Sequence, residues 1–219
     1  MKFKLSFLIF FLQYQLLTAC NNNTVKNSTN CSQILTDLFF VIDNSNKIDK
    51  NEFDSIKLKI GLSLKKFNLS IENINIALMT YSDKIKLVIP FSNDKLTSID
   101  SIISKINLIE QENSRNMVSG ALHYAQLFLL NSLILRKNVI TNKIVILFSD
   151  GNFSENEFRI VKNQANLLKM STQLMAVRIG KDYKRNKLKL LVSCSNYVIE
   201  NNNSDKLYSL IKHIINKNC

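Results

Sequence analysis

Two short apolar runs, each stopping at an aspartate, constrain this chain more than any other feature. The first is Leu38-Phe-Phe-Val-Ile-Asp43, with Ser45 two positions on; the second is Ile144-Val-Ile-Leu-Phe-Ser-Asp150, with Gly151 behind it. Neither alternates polar with apolar residues, and both are too short for helices. They read as parallel strands buried on both faces. In an open α/β sheet, ligands bind beyond the carboxyl ends of the strands. Asp43 and Asp150 therefore come to one sheet edge. With the Ser45 hydroxyl they form an oxygen set suited to a hard divalent cation.

The rest of the chain alternates in the same sense. Residues 51–67 place Phe53, Ile56, Ile60 and Leu64 at helical spacing. Residues 74–81 and 85–91 read as two strands joined by a tight Ser-Asp-Lys turn. Helices are expected at 96–109, 120–135, 155–170, 187–194 and 205–216, and further strands at 172–179 and 197–199. This predicts a doubly wound, mostly parallel central sheet with helices on both faces and no internal repeat.

Met1-Lys-Phe-Lys-Leu-Ser-Phe-Leu-Ile-Phe-Phe-Leu is a basic start followed by an apolar run, and Leu17-Thr-Ala-Cys20 closes it. Residues 1–20 read as a secretory signal peptide. The same Leu-Thr-Ala-Cys box also fits bacterial lipoprotein processing, which would leave Cys20 lipidated. Residues 21–34 form a polar, Asn-rich leader expected to be disordered, and 35–219 a single domain. No later run is long and apolar enough for a membrane span.

The net charge is +12, and loss of Lys2 and Lys4 with the leader leaves 27 basic against 17 acidic side chains, a net +10. That excess favours anionic partners, among them sulfated glycans. The export signal argues against nucleic acid. The densest basic cluster is Lys181, Lys184, Arg185, Lys187 and Lys189. His123 and His213 stand singly on predicted helices, and no nucleophilic triad can be assembled. Asn-x-Ser/Thr sequons begin at Asn22, Asn27, Asn30, Asn68, Asn152 and Asn202, and a glycan on Asn152 would obstruct the Asp150 loop.

Asp43-Asn-Ser45-Asn-Lys47, Ser119-Gly-Ala-Leu-His-Tyr-Ala125, Ser149-Asp150-Gly151 and Met175-Ala-Val-Arg-Ile-Gly180 occur in that order. Together they resemble the von Willebrand factor A domain. Lys189-Leu-Leu-Val-Ser-Cys194 and the closing segment Lys206–Cys219 are most similar to the secreted A domains of apicomplexan micronemal adhesins, the TRAP and WARP type. The resemblance implies a short antiparallel strand at the sheet edge. It also implies a non-enzymatic, secreted adhesion module that binds a host or matrix ligand at the loops after the strands. A bacterial surface lipoprotein acting in assembly is the rival expectation, and a hydrolase using Asp43 and Asp150 as acid and base is a poor third.

The family's metal site uses an Asp and two serines of one loop, a threonine of a second and an Asp of a third. It leaves one position for a carboxylate of the partner. Asp43, Ser45 and Asp150 match. Lys47 replaces the second serine, and Asn116 stands in the place of the threonine. Asn116 still offers a carbonyl oxygen, whereas an ammonium has three donors and no acceptor. The cofactor expectation is therefore a Mg2+-like ion held weakly or not at all, with Lys47 turned either inward between the carboxylates or outward to solvent. Because the family's termini lie close together, the resemblance also implies a Cys31–Cys219 disulfide. That would leave Cys194 as a buried free thiol or a link to another chain.

Overall fold

The structure is a computed structural model that describes residues 35–67, 74–91, 98–135, 141–180, 184–201 and 204–217. The strands are β1 (Leu35–Asp43), β2 (Ile74–Tyr81), β3 (Ile85–Ile89), β4 (Thr141–Ser149), β5 (Gln173–Arg178) and β6 (Val198–Glu200). The helices are α1 (Lys50–Leu64), α2 (Ile99–Asn107), α3 (Val118–Leu135), α4 (Glu155–Lys169), α5 (Arg185–Leu191) and α6 (Ser204–Lys217). One sheet of six strands runs in the order β3-β2-β1-β4-β5-β6.

β1 lies in the middle, parallel to β2 on one side and to β4 on the other. Ile42 faces Phe148 in that register, so both strands run out at the same edge. Residues Leu38 to Ile42 and Ile144 to Leu147 are fully buried, as strands covered on both faces must be. β3 pairs antiparallel with β2 at the sheet's edge, and Pro90 follows it, where a missing N–H breaks no ladder.

The helices form two packed groups on the two faces. α1 packs against α2 and α6, while α4 packs against α3 and α5. The apolar stripe of α1 (Phe53, Ile56, Ile60 and Leu64) is buried as its spacing predicts. Two of the helix starts illustrate a local cause. The Asp49 carboxylate accepts from the Asn51 amide at 2.9 Å, and the Ser154 hydroxyl accepts from the Glu157 amide at 3.2 Å. Ser154 with Glu157 has the spacing of a capping box.

Cys194 departs from expectation. It is buried at 6% exposure and is half of a disulfide whose partner lies outside the described residues. It is therefore not the free thiol the sequence reading allowed. Cys31 and Cys219 both lie outside the described residues, as do the leader segments 1–20 and 21–34. No described helix is long and apolar enough to cross a membrane.

Candidate functional site

Asp43 ends β1 and Asp150 follows β4, so the strand register brings them to one edge. Asp43 and Ser45 are fully buried, Asp150 is 6% exposed and Asn116 is 9% exposed. The β1–α1 loop turns on Asp43 itself, whose Oδ1 accepts from the Ser45 amide at 2.9 Å.

A distant segment, 109–117, braces that loop. The Asn46 amide donates to the Ser114 carbonyl at 3.1 Å, and the Glu112 amide donates to the Asn44 carbonyl at 3.0 Å. Gln111 Nε2 donates to the carbonyls of Ser45 at 2.9 Å and Ile48 at 2.7 Å. This bracing delivers Asn116 to Asp43. Asn116 Nδ2 donates to Asp43 Oδ2 at 3.0 Å, and Lys47 Nζ donates to Asn116 Oδ1, also at 3.0 Å. The result is a chain of ammonium, amide and carboxylate. Lys47 thus takes neither expected course: it neither lies between the two carboxylates nor points away from the site.

The chemistry of the partners fixes the orientation of Asn116. An ammonium can only donate, so it needs the amide oxygen; a carboxylate can only accept, so it needs the amide nitrogen. The Asn116 oxygen that would face an ion is thereby committed to Lys47. A hard divalent cation wants about six oxygens and no positive neighbour. As arranged, Asp43, Ser45, Asn116 and Asp150 do not fit such an ion. Among the described residues no group of three or more His, Cys, Asp or Glu side chains offers another metal cluster.

Asp150 is held both from its own loop and from the residue that precedes α5. Its Oδ1 accepts from the Asn152 amide at 3.0 Å, and its carbonyl accepts from the Lys184 amide at 2.9 Å. Gly151 follows at φ +67°, a conformation L side chains rarely adopt. The β5–α5 loop is tied to α1 by the Gly180 amide, which donates to Glu52 Oε1 at 2.7 Å.

Burial raises the pKa of Asp43. Hydrogen bonds from Asn116 and Ser45 work against that rise, and the charge of Asp150 adds to it. Burial, and then the Asp43 charge, push the Tyr81 hydroxyl well above its ordinary value, so it stays protonated as a donor. Tyr81 ends β2, is fully buried, and donates to the Phe148 carbonyl at 2.9 Å. That bond crosses the end of β1 and joins β2 to β4 beside the aspartates. Tyr81→Phe removes this bond, and a loss of about 0.5–1.5 kcal/mol is expected. A urea-denaturation midpoint equal to wild type would show that this bond carries no weight.

Sequence reasoning did not find Tyr81, Gln111 or Glu52. None lies in a motif, and each acts through a partner far along the chain. The basic cluster is only partly assembled. Lys184, Arg185 and Lys189 are exposed, and Lys181 lies outside the described residues. Lys187 Nζ is spent on the Phe153 carbonyl and on Glu155 Oε1, each at 2.7 Å. His123 and His213 sit exposed on α3 and α6, and Asn152 is exposed beside Asp150.

The family model described as von Willebrand factor type A domain matches residues 37–213. The collagen alpha-1(XXI) chain of Xenopus laevis is 23% identical over 185 residues, covering 84% of this chain and 18% of that one. This chain therefore spans less than a fifth of that relative's length. Among solved structures, manganese-loaded TRAP protein of Plasmodium vivax superposes with a TM-score of 0.72 at 18% identity, covering 84% of this chain and 74% of that one. Proximal thread matrix protein 1 from the mussel byssus, with a zinc-occupied MIDAS motif, gives a TM-score of 0.66 at 21% identity. It covers 85% of this chain and 48% of that one.

Proposed function

Because this chain belongs to the von Willebrand factor type A domain family, we propose that it is a secreted, non-enzymatic adhesion module. It engages a host or extracellular-matrix protein at the sheet edge where Asp43, Asn116 and Asp150 meet. The observation that carries this reading is the bracing of that edge. The β1–α1 loop, the 109–117 segment and the Asp150 loop are each held by hydrogen bonds from separate parts of the chain. A surface fixed in this way is prepared for a partner, since little order remains to be imposed on binding. The family's metal site has decayed here through Lys47 and Asn116, so any Mg2+-like ion is held weakly or not at all.

The manganese-loaded TRAP protein and the byssus protein with a zinc-occupied MIDAS motif share this fold. In this chain the corresponding side chains are Asp43, Ser45 and Asp150, and as arranged beside Lys47 and Asn116 they do not fit such an ion. The three exposed cations Lys184, Arg185 and Lys189 support a second, sulfated-glycan contact, screened by salt over about 8–10 Å at ordinary ionic strength.

The test presents the purified chain to immobilised collagen, fibronectin, laminin and heparin by surface plasmon resonance. Saturable binding to a matrix protein is expected, weakened by Asn116→Ala and unchanged by a Lys184→Glu, Arg185→Glu double variant. The double variant should weaken heparin binding alone. No saturable binding to any matrix protein, or binding indifferent to Asn116→Ala, would remove the adhesion reading.

A further inference from the structure

The edge does not fit a dication as it stands, yet it is not without a cation. We propose that the Lys47 ammonium is the tethered cation of this edge and takes a carboxylate of the partner's acidic side chain directly, with no divalent ion between them. The proposal rests on the adhesion reading above and names the chemistry that the partner must carry.

The geometry supports it in three steps. First, Lys47 is anchored at both ends. Its backbone amide donates to Ser45 Oγ at 3.4 Å, and its Nζ donates to Asn116 Oδ1 at 3.0 Å. The side chain is thus held over the edge although the residue is exposed. Second, the anchor uses one of three N–H donors. The others remain for a ligand, as an open coordination position would on a metal. Third, Asn116 stands between Lys47 and the buried Asp43, donating to Oδ2 at 3.0 Å. The amide separates the charges, so Lys47 is not consumed in a contact ion pair. The carboxylate below polarises the amide and strengthens its oxygen as an acceptor. The positive charge is therefore positioned but not quenched.

A carboxylate is the fitting ligand. N–H donors of an ammonium reach a carboxylate oxygen at about 2.7–2.9 Å in charge-assisted bonds. An ammonium is a compact point charge, so one oxygen of the ligand suffices. An uncharged amide in the ligand would satisfy the donors but not the charge.

The probe is acetyl-Gly-Glu-Gly-amide, with acetyl-Gly-Gln-Gly-amide as the neutral control, titrated into the 15N-labelled chain and followed by NMR. Saturable shifts of the Asn116 side-chain amide are expected with the glutamyl peptide, unchanged by EDTA and missing with the glutaminyl peptide. Lys47→Gln should weaken that binding by about tenfold or more, equivalent to about 1.4 kcal/mol. Lys47→Arg should largely keep it, and its amide spectrum checks that the fold tolerates change at this position. Shifts that require added Mg2+, or that survive in Lys47→Gln, would overturn the proposal, as would no shift at all in the folded wild type. Peptide binding without any matrix protein ligand would overturn the adhesion reading alone. Matrix binding without the peptide response would overturn only the role of Lys47.

Discussion

Replacing Lys47 with Ser and Asn116 with Thr should turn a protein that gives only dilution heats with Mn2+ into one that binds it saturably. The wild-type obstacle is an ammonium 3.0 Å from the oxygen an ion would need. Two unit charges about 4 Å apart interact by about 4 kcal/mol at an effective dielectric of 20, and a dication doubles the repulsion. Lys47 is exposed, so solvent screens most of this. If about a third survives, the double variant gains about 2.7 kcal/mol, near a hundredfold in affinity. The substitutions also return two hydroxyl oxygens beside Asp43 and Ser45. Calorimetric titration of both proteins with Mn2+ measures the difference. Equal affinities would mean that Lys47 leaves its anchor freely and does not guard the edge. Binding by neither protein, with both folded, would mean that the aspartates no longer form a metal site even when freed.

Gly151→Ala should unfold far more easily than wild type. At φ +67° an alanine pays about 1–2 kcal/mol for the left-handed conformation. Its Cβ would also lie 2.8 Å from Leu188 Cγ and 2.9 Å from the Lys184 carbonyl oxygen. Leu188 is fully buried in α5, so it has no free direction in which to move. Overpacking of this kind costs about 1–3 kcal/mol. The total is about 2–5 kcal/mol, and for a domain of this size the melting temperature should fall by roughly 5–15 °C. Gly180→Ala is the internal comparison. It shares the left-handed backbone, at φ +80°, but its Cβ would meet only Asp150 Cβ, at 3.3 Å. Its loss should be the smaller. Thermal melts in which the order is reversed would contradict the packing of α5 on the Asp150 loop.

The strands were legible where burial on both faces left a continuous apolar signal. β2 has the predicted bounds, residue for residue. β1 and β4 each begin three residues earlier than the pattern suggests, at Leu35 and Thr141. Polar Thr36, Asp37, Asn142 and Lys143 conceal those starts. Pairing between the two strands runs through them regardless, with Asp37 opposite Lys143. α4 starts at Glu155 as expected, behind its Ser154 cap, whereas α1 starts one residue early at Lys50, behind Asp49, and ends at Leu64, three residues short of the expected Phe67. Asp43 and Asp150 could be found because each terminates a strand. The direction of Lys47 could not, since it depends on Asn116, which a separate segment carries to the edge. The pairing of Cys194 was missed because the cysteine spacing here departs from the pattern the family resemblance supplied.

The central position of β1 also sets a schedule for making the protein. Its partner on one side, β2, follows within about thirty residues, but β4 follows Asp43 only after about a hundred. At ribosomal rates of about 5–20 residues per second, β1 waits roughly 5–20 s for its second neighbour. During that interval one side of an almost wholly apolar strand has no ladder to join. Nascent chains at this stage are open to pairing with one another, and the remedy is either a bound chaperone or delivery across a membrane before folding begins. A synonymous change that slows translation between Tyr81 and Thr141 should therefore lower the yield of soluble protein without altering a single residue of it.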